Sequence, residues 1–176
     1  MKTIILAIFM AFVTLILLVS CQKEDESGTT TTPALVVPPS LSATHTLSGT
    51  TSMDTMSTKS LIITVNNTGG PTTDRCTIYV QKFLPLGAAH FSEFLTSMEG
   101  ITINNPNWRI TEQSTRYVLV SEPGYVISSN SLIGVTLMSY NLFGGFSITT
   151  TIKSGTGGGE TPNSDNISVT HFTIEE

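Results

Sequence analysis

Between Leu41 and Ile174 the chain never holds one hydrophobic period for long: it alternates apolar and polar residues over short runs, then breaks at Gly, Asn, Pro or Ser. A period of two puts every second side chain on one face of a strand, and such runs at roughly ten-residue spacing mark a sandwich or barrel. The expected strands are 43–47, 61–65, 76–83, 101–103, 108–110, 116–120, 133–137, 146–152 and 167–174, with Ser128 to Asn130 a loop. Segment 88–98 is the exception, because Phe91, Phe94, Leu95 and Met98 recur at helical spacing and helix competes there with strand. The fold class expected is all-β, an antiparallel two-sheet β-sandwich of about seven to nine strands.

Faces follow from the same alternation. Leu61, Ile63 and Val65 should be buried, as should Cys76, Ile78 and Val80, while Thr77, Tyr79 and Gln81 look outward. In the last strand Ile167, Val169, His171 and Thr173 oppose Ser168, Thr170, Phe172 and Ile174, and His171 is assigned with Ile167 and Val169 to the inward face. Asn66 to Pro71 supplies residues that suit a tight turn.

Ahead of this domain lie two segments of different character. Lys2 gives a positive start, 4–19 is apolar except for Thr14, and the run ends at Ser20, Cys21, Gln22 and Lys23. A spanning helix needs about 20 apolar residues, so this shorter run with a polar stop reads as a secretory signal peptide, residues 1–20. Residues 21–40 contain Gly28, Thr29 to Thr32 and three prolines, with almost nothing to bury, and read as a flexible, disordered tether. The domain is 41–176.

Leu18, Val19, Ser20 and Cys21 resemble the lipobox of bacterial lipoproteins. That resemblance implies cleavage before Cys21, lipid attachment at its thiol and acylation of the new N-terminus. With about 0.8 kcal/mol per buried methylene, several acyl chains hold a protein at a membrane almost permanently. Gln22, Lys23, Glu24, Asp25 and Glu26 are similar to the Bacteroidota-type lipoprotein export signal, which implies an outer-membrane, cell-surface location; read as residues alone, they are a solvated acidic linker.

Three stretches of 41–174 resemble conserved-repeat domains and their adhesion-related relatives, bacterial surface domains of immunoglobulin-like or prealbumin-like fold. They are Leu61 to Pro71 with Leu84-Pro85 after it, Gly145 to Ile152, and the Asn-rich turn Gly158 to Asn166. The chain departs from that pattern at Ser129-Asn130-Ser131 and over 86–115. The resemblance implies an immunoglobulin-like sandwich and no particular activity.

Chemistry is sparse. After removal of residues 1–20 seven bases face thirteen acids, a net charge of −6 with no basic run, which argues against nucleic acid as a partner. His45, His90 and His171 have no second ligand at metal spacing, and no nucleophile-elbow or zinc-protease motif occurs. Gly155 to Gly159 lacks the Lys-Ser/Thr of a phosphate loop. Glu160, Asp165, Asn163 and Asn166 have the oxygens of a calcium site but also the composition of a closing turn, the preferred reading. Glu93, Glu99, Glu112 and Glu122 could pair only if the fold brought two together. With Cys21 lipidated, Cys76 is left without a disulfide mate and reads as a buried apolar residue. Asp54-Thr55-Met56 resembles a bacterial O-glycosylation site. No catalytic, cofactor-binding or metal residues are assigned.

The expected function is a non-enzymatic, lipid-anchored surface protein for adhesion, envelope structure or protein-partner binding. The alternative is a glycan-binding lipoprotein of a nutrient-uptake system, using exposed rings among Trp108, Tyr117, Tyr125, Tyr140 and Phe143. Exposed aromatics on one face would favour the alternative, whereas a Thr/Ser face with a hydrophobic edge strand would favour a protein partner.

Overall fold

The computed structural model describes residues 36–83, 86–140, 144–159 and 166–175. Residues 36–176 form one compact unit. Two sheets make a β-sandwich, and no helix among the described residues is long and apolar enough to cross a membrane.

The four-stranded sheet has the order β1-β3-β10-β5, from Leu41–Leu47, Thr58–Asn67, Asn130–Ser139 and Gly87–Phe91. The six-stranded sheet runs β2-β12-β11-β4-β9-β8, from Ser52–Asp54, Ile167–Glu175, Gly144–Ile152, Thr77–Gln81, Arg116–Ser121 and Trp108–Glu112. Pairing is antiparallel except where the three-residue β2 runs parallel to the end of β12. A two-stranded hairpin, β6 (Ser97–Met98) and β7 (Ile101–Thr102), lies outside both sheets. Its turn residues Glu99 and Gly100 both have positive φ, +52° and +77°, as a two-residue type I′ hairpin requires.

The alternating runs set the core as expected. Leu61, Ile63, Val65, Cys76, Ile78 and Val80 are all buried, with Thr77, Tyr79 and Gln81 on the opposite face. Phe83, Phe146 and Phe172 stack in series, ring centroids 4.3 and 4.9 Å apart. The buried Trp108 lies 6.4 Å from Tyr125, edge to face, and both rings place a donor on Ser131 Oγ at 3.0 Å.

Three expectations change and one open choice is resolved. Segment 88–98 is not helical: Gly87–Phe91 joins β10 as an edge strand, then the chain turns into β6. Main-chain pairing with an existing strand outweighs a weak helical spacing. Residues 101–103 form no sandwich strand, because Met98 and Ile103 lie over Ile62 on the outside of the four-stranded sheet. Gly134 makes that fit possible, since a Cβ there would stand 2.6 Å from Ile103 Cδ1. Asn130 belongs to β10. His171 is exposed, because Phe172 and Ile174 take the inward face of β12.

The end of the sandwich near Asn67 is closed by that one buried side chain. Its Oδ1 accepts from the Ser40 and Gly69 amides, both at 3.1 Å, and its Nδ2 donates to the Gly70 and Ile127 carbonyls, both at 2.8 Å. All four of its hydrogen-bonding positions are used. A Cβ on Gly69 would meet Pro38 O at 2.3 Å and one on Gly70 Val37 O at 2.0 Å, so the residues just before β1 pack on a turn that only glycine admits.

Candidate interaction surface

A β-sandwich leaves four sheet edges, and here they fall on two flanks. On one flank stand β5 and β8. Glu93 Oε1 accepts the Ile110 amide of β8 at 2.6 Å, and β8 carries Arg109 and Glu112, the first 3.5 Å from Glu122 and the second paired with Lys82. Strand β10 extends beyond β5, and its overhang is met by side chains. The Leu132 amide donates to Asn104 Oδ1 at 2.9 Å and the Gly134 amide to the buried Asn105 Oδ1 at 2.8 Å, while Asn105 Nδ2 donates back to Gly134 O at 2.9 Å. A groove of about 540 Å³ runs along this flank between Phe91, Ile110 and Tyr117. Burial, with the Glu112 charge adding, pushes the Tyr117 pKa above the ordinary value.

On the other flank stand β1 and, in the six-stranded sheet, β12 with the three-residue edge strand β2 beside its C-terminal end. His45 of β1 reaches across the sandwich, Nδ1 2.9 Å from Thr170 Oγ1 and Nε2 2.8 Å from the buried Thr150 Oγ1. Burial lowers its pKa from 6.5 to about 4, leaving the ring neutral at neutral pH.

Strand β12 pairs with β11 along Ile167–Ile174 but with β2 only over Thr173–Glu175. Thr173 N donates to Thr51 O and Glu175 O accepts from Thr55 N, both toward β2. Main-chain direction alternates along an antiparallel strand, so Ile167, Val169 and His171 turn their amides and carbonyls to that same side. Among the described residues no strand pairs with them there.

The side chains of these residues form the outer face. Ile167 is 52% and Val169 48% exposed, and His171 Nδ1 lies 2.6 Å from Ser147 Oγ. Beside them on β11 and β4 stand Ser147, Thr149, Thr151, Thr77 and Tyr79, with Arg116 stacked over the Tyr79 ring at 4.0 Å. The triplet Thr149-Thr150-Thr151 thus divides: the outer two present methyls and hydroxyls outward, and the middle one holds His45.

The remaining expected site residues are dispersed. Cys21 and Gln22 to Glu26 lie outside the described residues, as do Phe143, Glu160, Asn163 and Asp165. Asn166 is buried at the start of β12. No cluster of three or more His, Cys, Asp or Glu suited to a metal occurs among the described residues. Glu99 accepts from Ser60 Oγ at 2.8 Å, and Glu93, Glu112 and Glu122 have the structural partners given above. Trp108 and Tyr117 are core residues, and Tyr125 commits its hydroxyl to Ser131. Asp54 and Met56 are exposed around Thr55, whose hydroxyl donates to Glu175 O at 3.0 Å.

The exposed edge was missed in the sequence because the phase of β12 was set by its first half. Ile167 and Val169 share one parity, Phe172 and Ile174 the other, and only one pair can face inward. A change of hydrophobic phase within a single strand is the signal that could have found it.

No family model matches the chain, and no curated protein matches it. Solved structures do. A cohesin module from a Clostridium perfringens family 33 glycoside hydrolase superposes with a TM-score of 0.51 at 12% identity, covering 78% of this chain and 99% of the module. The CARDB domain of a Pyrococcus furiosus protein, crystallised with di-metal ions, gives 0.46 at 10% identity over 77% of this chain and 93% of that one. A protein that catalyses macrocyclization in alchivemycin A biosynthesis gives 0.39 at 10% identity, over 77% and 89%. The likeness to the cohesin module, at 12% identity, concerns the fold alone, an immunoglobulin-like β-sandwich, and leaves function to the site.

Proposed function

We propose that this chain is a non-enzymatic, lipid-anchored surface protein whose immunoglobulin-like domain binds a protein partner through the β12 flank. The observation that carries this reading is the run Ile167–His171, which contains no Asp, Glu, Lys or Arg. It has outward-turned main-chain groups and two half-exposed β-branched side chains, and it borders a Thr/Ser face. An exposed strand edge of this kind supports main-chain pairing with another chain, its outward side chains adding specificity. The glycan alternative needs a platform of exposed rings, and the burial of Trp108 and Tyr117 removes two of its five candidates.

Lipid at Cys21, export through Gln22 to Glu26 and an outer-membrane, cell-surface location form the remainder of this proposal, resting on the sequence resemblances described above. Intact-cell protease shaving of wild type beside Cys21→Ala, with fractionation, tests it. The expected result is loss of wild-type protein from whole cells and a soluble variant. Wild-type protein protected in intact cells would contradict surface display, and a membrane-bound Cys21→Ala protein would contradict the anchor.

A further inference from the structure

We propose that the partner seated on the β12 edge is a second copy of this chain, paired antiparallel about a two-fold axis near Ser168. This deepens the reading of the β12 flank as a protein-binding edge and rests on it.

Register and charge both point to a second copy. The stretch that turns its main chain outward is bounded on one side by β2, which occupies the edge from Thr173 onward. A partner strand therefore has to lie over the Ile167 end. With the axis at Ser168, Ile167 of one copy stands opposite Val169 of the other, and each such pair exchanges two hydrogen bonds, about four in all. The two half-exposed side chains then cover their counterparts, and the six-stranded sheets of the two copies become continuous.

Among the described residues the charges around the edge suit this orientation. Asp54 and Glu175 stand side by side on the outer face at the β2 end, a like-charge pair in register. Lys153, in the outward phase of β11, stands beyond the opposite end of the free stretch. An antiparallel two-fold arrangement turns the acidic end of each copy toward the lysine end of the other, whereas a parallel one would set like charges together. Within Ile167–His171 there is no acid, Lys or Arg, so self-pairing brings no like charges face to face.

An edge this short buries well under the roughly 1,600 Å² of a standard interface. Pairing is therefore expected where anchored chains are crowded on one surface, and not in dilute solution.

Ser168→Cys in the full-length chain tests the arrangement. Its main chain faces β11, so it forms a non-hydrogen-bonded pair with its mate, at a Cα separation of about 4.5 Å, within disulfide reach. Cysteine replaces serine almost isosterically, and Cys76 is buried. Under mild oxidation of whole cells Ser168→Cys should give a covalent dimer, and adding Val169→Lys should reduce its yield at least tenfold. Thr44→Cys, exposed on β1, should give none. Absence of the Ser168→Cys dimer, or equal cross-linking at Thr44→Cys, overturns the pairing. If in that case Val169→Lys still removes a different protein that chemically cross-links to the wild-type domain, the edge binds a heterologous partner and the broader reading survives. If Val169→Lys changes neither, both fail.

Discussion

The two flanks of the sandwich handle the same problem in opposite ways. Each ends in strands with main-chain groups to satisfy, and an unprotected edge invites pairing with another chain. On the β5/β8 flank, carboxamides and a carboxylate from the segment between β5 and β8 serve as substitute strand neighbours, and charges line β8. On the β1/β12 flank a neutral histidine joins the sheets from within, and Ile167–His171 contains no Asp, Glu, Lys or Arg. Edge protection is thus a local property, supplied by particular side chains.

The largest effect should come from opening the protected flank. Asn105→Ala would leave the Gly134 amide, the Gly134 carbonyl and Ser92 O without their side-chain partner, at about 3 kcal/mol or more of stability, read by denaturant unfolding. It should also make the protein prone to association through β10.

Acid should act on the other flank. Because His45 titrates at about 4 in the fold against 6.5 when unfolded, the unfolded chain binds more protons between those values. The contribution of His45 is complete above pH 6.5, is lost progressively down to about pH 4, and amounts to at most about 3 kcal/mol. Unfolding midpoints from pH 7.5 to 3.5, compared with His45→Gln, should show this loss in the wild type and a flatter profile in the variant. Equal slopes would remove His45 as the acid-sensitive joint.

Ile167→Lys and Val169→Lys should leave the unfolding free energy of the isolated domain within about 0.5 kcal/mol while abolishing binding through β12. A large loss of stability would mean that these side chains are part of the core. The smallest effect belongs to the β6–β7 turn. Glu99→Asn relieves a positive φ and should stabilise by about 0.5 kcal/mol, provided the lost contact to Ser60 is weak.

The sandwich was legible because its long strands repeat one decision, which face goes inward, and residues such as Leu61, Ile63 and Val65 answer it consistently. The edges were not, because they depend on contacts between residues far apart in the chain. Asn67 reads as a turn residue, yet it ties together Ser40, Gly69, Gly70 and Ile127. Asn104 and Asn105 read as a break between strands, yet they act as the neighbour that β10 lacks. At β12, two apolar pairs of opposite parity compete, and the stacking of Phe146 on Phe172 goes with the inward turn of the pair opposite to the one expected.

Amide hydrogen exchange, resolved along β12 and β5 in the full-length protein, measures the difference between the flanks directly. The comparison is between protein crowded on vesicles and the same protein diluted as a monomer in detergent. The account predicts that Ile167 and Val169 exchange rapidly in the monomer and become protected on the vesicles, while β5 is unchanged. Protection of Ile167 and Val169 already in the dilute monomer, or no gain on vesicles, would contradict an open β12 edge that serves as the binding surface.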